Sequence, residues 1–164
     1  MKKNNLDMYC LSLYPNNLGI IKAIGYLPVG VGDNKFSKNW LSDKFKNDIS
    51  IVGINSNDSV KYPDDDFESM KAVAKEKGLE IDYLVDETQE IAKKYGAVCT
   101  PDFFGYNKNL ELQYRGRLRE LRNLIPVKEG ESDLLKAMKQ IAKTGEGPKD
   151  QIPSAGCSIK WKTN

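Results

Sequence analysis

Histidine is missing from this 164-residue sequence, and cysteine is scarce, at three. Without an imidazole there is no Ser-His-Asp or Cys-His nucleophile pair, no HExxH zinc hydrolysis and no histidine-held haem. Chemistry is left to cysteine, carboxylate, lysine, tyrosine and backbone groups. An excess of one charge is also missing: 25 Lys and Arg face 23 Asp and Glu, a net of +2. That balance gives no bulk pull towards nucleic acid or anionic lipid, and neither is expected as a partner. Long apolar runs are lacking; none approaches the roughly 18–20 residues of a membrane span. Met1-Lys2-Lys3 has the basic flank of an export signal. Asp7, Ser12, Pro15 and paired asparagines then break the apolar stretch such a signal needs. Three widely spaced cysteines do not form a secreted disulfide framework, so reduced thiols in a cytoplasm-like compartment are expected.

The length suits one domain of about 100–200 residues, large enough to bury a core without disulfide staples. Residues 1–146 are taken as that domain, with 1–48 its divergent part, and 147–164 as a flexible C-terminal tail. Leu6 to Leu13 is a candidate strand, while Leu18 to Leu27 is apolar but interrupted by Gly19 and Gly25. Phe36, Trp40, Leu41 and Phe45 recur at helical spacing, predicting a helix to about Lys46. Ile49 to Ile54 is rich in β-branched residues and suits a strand covered on both faces. Pro63 to Asp66 opens a helix with Phe67, Met70, Val73 and Ala74 as its stripe. Those three acids lack the glycine and glutamate of an EF-hand loop, and no metal or other cofactor is expected.

Leu79 to Val85 alternates as a strand. Asp86 with Gln89 resembles a capping box for a short helix ending at Gly96. Val98 to Tyr106 and Leu110 to Arg115 predict a hairpin across the polar link Asn107-Lys108-Asn109. Ser132 caps a last helix with Leu134, Leu135, Met138, Ile141 and Ala142 facing inward. Arg115, Arg117, Arg119 and Arg122 form a basic run, read as a solvated strand end rather than a phosphate site. Helix-linked parallel strands followed by an antiparallel hairpin and a helix make an α/β, thioredoxin-like topology. The expected fold is a central mixed sheet flanked by helices, although composition alone leaves several α/β folds open.

Cys99-Thr100-Pro101 is the most informative local motif. The residue before proline is pushed towards extended geometry, and the bond itself can be trans or cis. In a thioredoxin fold a cis-proline beside the active site leaves backbone groups free to pair with an extended substrate. The plainer reading is a buried cysteine before an ordinary proline.

Several blocks together carry a resemblance. They are Ile54 to Asp58, Lys61 to Asp65, Tyr83 to Gln89 (YLVDETQ), Tyr95 to Phe104 (YGAVCTPDFF), Tyr114 to Arg117 and the terminal GCSIKWK. From Ile49 to Lys162 the chain resembles the thioredoxin-like redoxins of the alkyl hydroperoxide reductase/thiol-specific antioxidant branch. Typical members of that subgroup carry Cys-Asn-His-Cys-Pro-Tyr-Val at a strand end opening a helix. There the first cysteine is the expected nucleophile, since a helix N-terminus lowers thiol pKa. The second cysteine resolves the mixed disulfide. Here the matching stretch is Cys10-Leu11-Ser12-Leu13-Tyr14-Pro15. Leu13 stands where the second cysteine belongs, and the sequence holds no CxxC. The N-terminal third is accordingly truncated, diverged or changed in reading frame.

The resemblance implies a redoxin-type thiol–disulfide oxidoreductase, antioxidant-like, acting on protein or low-molecular-weight thiols and disulfides. Cys10 would be the nucleophile, with Cys99 flanking it and Thr100 and Pro101 contacting substrate. Cys99 and Cys157 are the candidate resolving thiols. A missing Thr-x-x-Cys segment favours general thiol exchange over peroxide reduction. The alternatives are a non-catalytic thioredoxin-like binding module and a truncated, inactive family member.

Overall fold

The structure, a computed structural model, describes residues 19–24, 49–77, 81–122, 125–127 and 130–163. Cys10, the expected strand at Leu6 to Leu13 and the helix ending near Lys46 lie outside the described residues. Five strands form one sheet in the order β3-β2-β1-β4-β5. They are β1 (Gly19–Ile24), β2 (Ile49–Asn55), β3 (Asp82–Val85), β4 (Asp102–Asn107) and β5 (Leu112–Gly116). β1, β2 and β3 run parallel, whereas β4 and β5 run antiparallel to their neighbours. Among the described residues three helices accompany them: α1 (Phe67–Lys77), α2 (Glu90–Tyr95) and α3 (Asp133–Thr144). A small ribbon, β6 (Leu121–Arg122) with β7 (Ile125–Pro126), precedes α3.

The centre of the sheet is β1, a stretch to which the sequence pattern assigned no element. Its register pairs Ile21 with Ile51 on one side and with Gly105 on the other. Gly19 and Gly25 argue locally for a break, but backbone pairing along both edges outweighs that local preference.

Alternation along β2 builds two cores, as the period of two in a strand requires. On one face Ile49 joins Phe103, Tyr114 and the α3 residues Leu134, Leu135, Met138 and Ile141. On the other, Val52 and Ile54 join Ala92, Ala97, Phe104 and Ile159. The expected cap of α3 is present: Leu135 N–H donates to Ser132 Oγ at 3.1 Å.

Two local expectations need correction. The Pro63 turn is a separate 3-10 turn, and α1 begins at Phe67. Asp66 is its cap, accepting from Ser69 N–H at 2.7 Å, and that bond holds its carboxyl below the ordinary value. Asp86 and Gln89 do not form a capping box. Gln89 adopts a left-handed backbone (φ 60) and turns its amide away from Asp86, towards the C-terminal segment. Asp86 instead takes Ser56 Oγ at 2.9 Å and Ala92 N–H at 3.0 Å.

Candidate functional site

In sheets of this kind the reactive crevice lies beyond the carboxyl ends of the parallel strands. The register places Ile24, the last residue of β1, opposite Asp102, the first of β4. Residues 98–101 therefore enter the sheet at that end. The strand expected from Val98 starts only at Asp102, because Cys99, Thr100 and Pro101 form a separate loop whose Thr100–Pro101 peptide is cis.

A buried carboxylate holds this loop. Asp102 accepts Val98 N–H at 3.3 Å and Arg115 Nη2 at 3.2 Å. Arg115 also donates to the Gly96 carbonyl, and its guanidinium lies 5.1 Å from the Phe104 ring centroid. The first two arginines of the run are thus paired within the domain. Arg117 Nε meets Asp133 at 2.7 Å, and Arg117 Nη2 meets Glu120 at 3.6 Å.

The described thiols differ sharply. Cys99 is buried, and its Sγ donates to the Pro101 carbonyl at 3.7 Å. Burial pushes its thiol pKa up; the Asp102 charge adds to this and Arg115 opposes it. A thiol kept protonated is a poor nucleophile, because the thiolate is the attacking form. Cys157 is exposed, and neither cysteine is in a disulfide. In native protein a thiol reagent at pH 8 is expected to label Cys157 at least about tenfold faster than Cys99. Peptide mass mapping over time would check this, and equal rates would contradict the buried placement of Cys99.

The C-terminal segment is not free, contrary to its reading as a flexible tail. Along the outer edge of β5, Gln151 Nε2 donates to Gln113 O at 2.9 Å, and Arg117 N–H donates to Ile152 O at 2.9 Å. Ser154 Oγ donates to Gly116 O at 2.7 Å. The segment then crosses to the Pro101 loop, where Thr100 N–H donates to Cys157 O at 2.8 Å as an antiparallel bridge. Beyond that, Gln89 clamps it. Its Nε2 donates to Ser56 O at 2.7 Å and Lys160 O at 2.9 Å, while its Oε1 accepts from Lys162 N–H at 2.8 Å. Asn57 Oδ1 accepts from Lys160 N–H at 3.0 Å. These long-range bonds, added to the edge pairing, outweigh the local looseness that glycine and proline confer.

The structure thus brings Cys99, Thr100, Pro101 and Cys157 to one end of the sheet. Gln89 and Asn57, which sequence reasoning passed over, secure the segment that carries Cys157. Their signal was indirect: both lie in blocks of the family resemblance, but no spacing rule joins them to Lys160. Among the described residues no three His, Cys, Asp or Glu side chains are grouped to hold a metal. No described helix is long and apolar enough to cross a membrane.

Three parallel strands, an antiparallel hairpin, a closing helix and a cis-proline at the carboxyl end of the sheet define a thioredoxin-like protein. A thioredoxin-like protein solved in its oxidized form shares that fold at 14% identity and a TM-score of 0.58, over 77% of this chain and 79% of that one. The family model for AhpC/TSA matches residues 35–120, and the chain belongs to the AhpC/TSA family. An uncharacterized conserved protein from Geobacillus kaustophilus is similar at 35% identity, covering 94% of this chain and 82% of its own, with a TM-score of 0.81. A hypothetical protein from Sinorhizobium meliloti is similar at 31% identity, 94% and 85% coverage and a TM-score of 0.80. No functionally curated protein matches the chain.

Proposed function

We propose that the chain is a redoxin-type thiol–disulfide exchange protein with Cys10 as its nucleophile and protein or small-molecule disulfides as its substrates. The observation that carries this reading is the Thr100–Pro101 edge. It lies at the carboxyl end of the sheet and pairs its N–H with an extended, cysteine-bearing segment. An edge that accepts such a segment suits a partner strand presenting a disulfide. Unpaired Cys99 and Cys157 accord with a reducing, cytoplasm-like setting.

The exchange balances without a cofactor. The Cys10 thiolate attacks one sulfur of a partner disulfide and forms a mixed disulfide. The partner's other sulfur leaves as a thiolate and takes a proton. A low-molecular-weight thiolate then attacks the Cys10 sulfur of that mixed disulfide and releases the partner's sulfur as a thiolate, which takes a proton. A second small thiolate attacks the small-molecule sulfur now bound to Cys10, forming the small disulfide and releasing Cys10 as thiolate. Net, two small thiols are oxidised to a disulfide for each partner disulfide reduced.

A glutathione-coupled disulfide exchange assay tests this. Cys10→Ser should lower turnover at least about tenfold, since the thiolate is the attacking group. Cys99→Ser should retain most of it. An inactive wild type, or a Cys10→Ser variant as fast as wild type, would replace this reading with a binding module that keeps the Pro101 edge without redox chemistry. Leu13 in place of the second motif cysteine, and the burial that pushes the Cys99 thiol pKa up, favour that second reading.

A further inference from the structure

The Thr100–Pro101 edge is already occupied by this chain's own segment. Ala155, Gly156, Cys157 and Ser158 are all exposed. Among the described residues, the hydrogen bonds tying this span to the domain both come from Thr100. Its N–H at 2.8 Å and its Oγ1 at 3.4 Å donate to one acceptor, the Cys157 carbonyl. The chain is anchored on both sides of the span. Before it, Ser154 Oγ donates to Gly116 O at 2.7 Å. After it, Ile159 is 4% exposed within the core, and the Lys160 carbonyl accepts from Asp58 N–H and Gln89 Nε2, both at 2.9 Å. Among the described residues, 155–158 thus form an arch with two fixed feet and one hydrogen-bonded point of attachment at its crown.

The contact at the crown is close. A Cβ on Gly156 would stand 2.3 Å from the Thr100 carbonyl oxygen, a backbone atom that cannot yield cheaply. The edge therefore accepts an extended segment whose residue before the cysteine has no side chain.

We propose that the Ala155–Ser158 arch is a tethered stand-in for the partner strand, and that it lifts from Thr100, feet in place, to admit a partner. That partner is an extended peptide with a glycine before its cysteine. The inference rests on the reading of Thr100–Pro101 as a docking edge, and not on any redox chemistry. Local opening is favoured because it breaks bonds to one acceptor and leaves Ile159 and the Gln89 clamp intact, so it needs far less than global unfolding. While closed, the arch competes with any free peptide at an effective concentration on the order of millimolar, as short tethers do.

Amide hydrogen exchange on the full chain tests the arch directly. Thr100 N–H, paired with Cys157, should be protected at least about tenfold less than Asp58 N–H, paired with Lys160 beyond the foot. Equal protection would mean that the segment leaves only as a whole, and would overturn the proposal. Gly156→Val should force the arch off the edge with both feet retained. A synthetic peptide copying residues 152–160 and carrying Cys157→Ser is the probe, read by fluorescence anisotropy. It should bind the variant at least about tenfold more tightly than wild type, because the tethered competitor is gone. Equal affinity, or no binding to a folded variant, would overturn it. Should the variant fail to fold, the exchange comparison in wild type decides. Neither readout uses thiol chemistry, so failure of the exchange assay with Cys10→Ser and failure here are separate results.

Discussion

Phe104→Ala should destabilise the protein by about 3–5 kcal/mol, the range for emptying a buried phenylalanine site. Phe104 is 1% exposed and packs with Val52, Ile54, Ala92, Ala97 and Ile159. Its ring meets Tyr95 edge to face, with centroids 5.5 Å apart, and carries the Arg115 guanidinium on its face. The side chain therefore joins β2, α2, β5 and the C-terminal segment, and no one of these can collapse into the void without pulling on the others. At about 2–4 °C per kcal/mol for a chain of this size, the melting temperature should fall by about 6–20 °C. Denaturant unfolding followed by circular dichroism would measure it. A loss below about 1 kcal/mol would show that the site is not the packed junction described.

A valine at position 105 should cost about 3 kcal/mol, from too much side chain rather than too little. Gly105 lies in β4 directly beneath α3. A Cβ there would stand 2.7 Å from Met138 Sδ and 3.1 Å from Tyr114 Cβ, with Ile141 Cδ1 at 3.7 Å. The absence of a side chain lets the helix close on the strand that begins beside Pro101. Because Met138 is fully buried, truncating it should also destabilise, by about 2–5 kcal/mol. Gly105→Val with Met138→Ala should then cost about 1–2 kcal/mol less than the sum of the two, since the second change vacates the space the first needs. Strict additivity in that cycle would count against the contact.

Much of the framework was legible where local pattern and tertiary position agree. The β-branched run Ile49 to Ile54 forms a buried parallel strand, the hairpin expected around Asn107 to Asn109 joins β4 to β5 with residues 108–111 as its link, and Ser132 caps α3. Each of these has a signature carried by residues only a few positions apart. β1 was not legible, because an apolar stretch flanked by glycines is compatible with a loop until two partner strands pair with it. Gln89 illustrates the same limit at the site. As a local signal it resembled a helix cap, but its amide reaches Lys160, 71 positions further along the chain.

By itself the sequence determined the exclusions and the family. The missing histidine removed imidazole chemistry, and blocks spread from Ile54 to GCSIKWK pointed to a redoxin, because both are properties of residue identity and order. Tertiary structure alone decided the states of the thiols. Burial, with the Asp102 charge adding to it, pushes the Cys99 thiol pKa up, whereas Cys157 is exposed yet secured against Thr100. Such assignments depend on desolvation and on hydrogen bonds between residues distant in the chain, and both come into being when the sheet, the Pro101 loop and the C-terminal segment pack together.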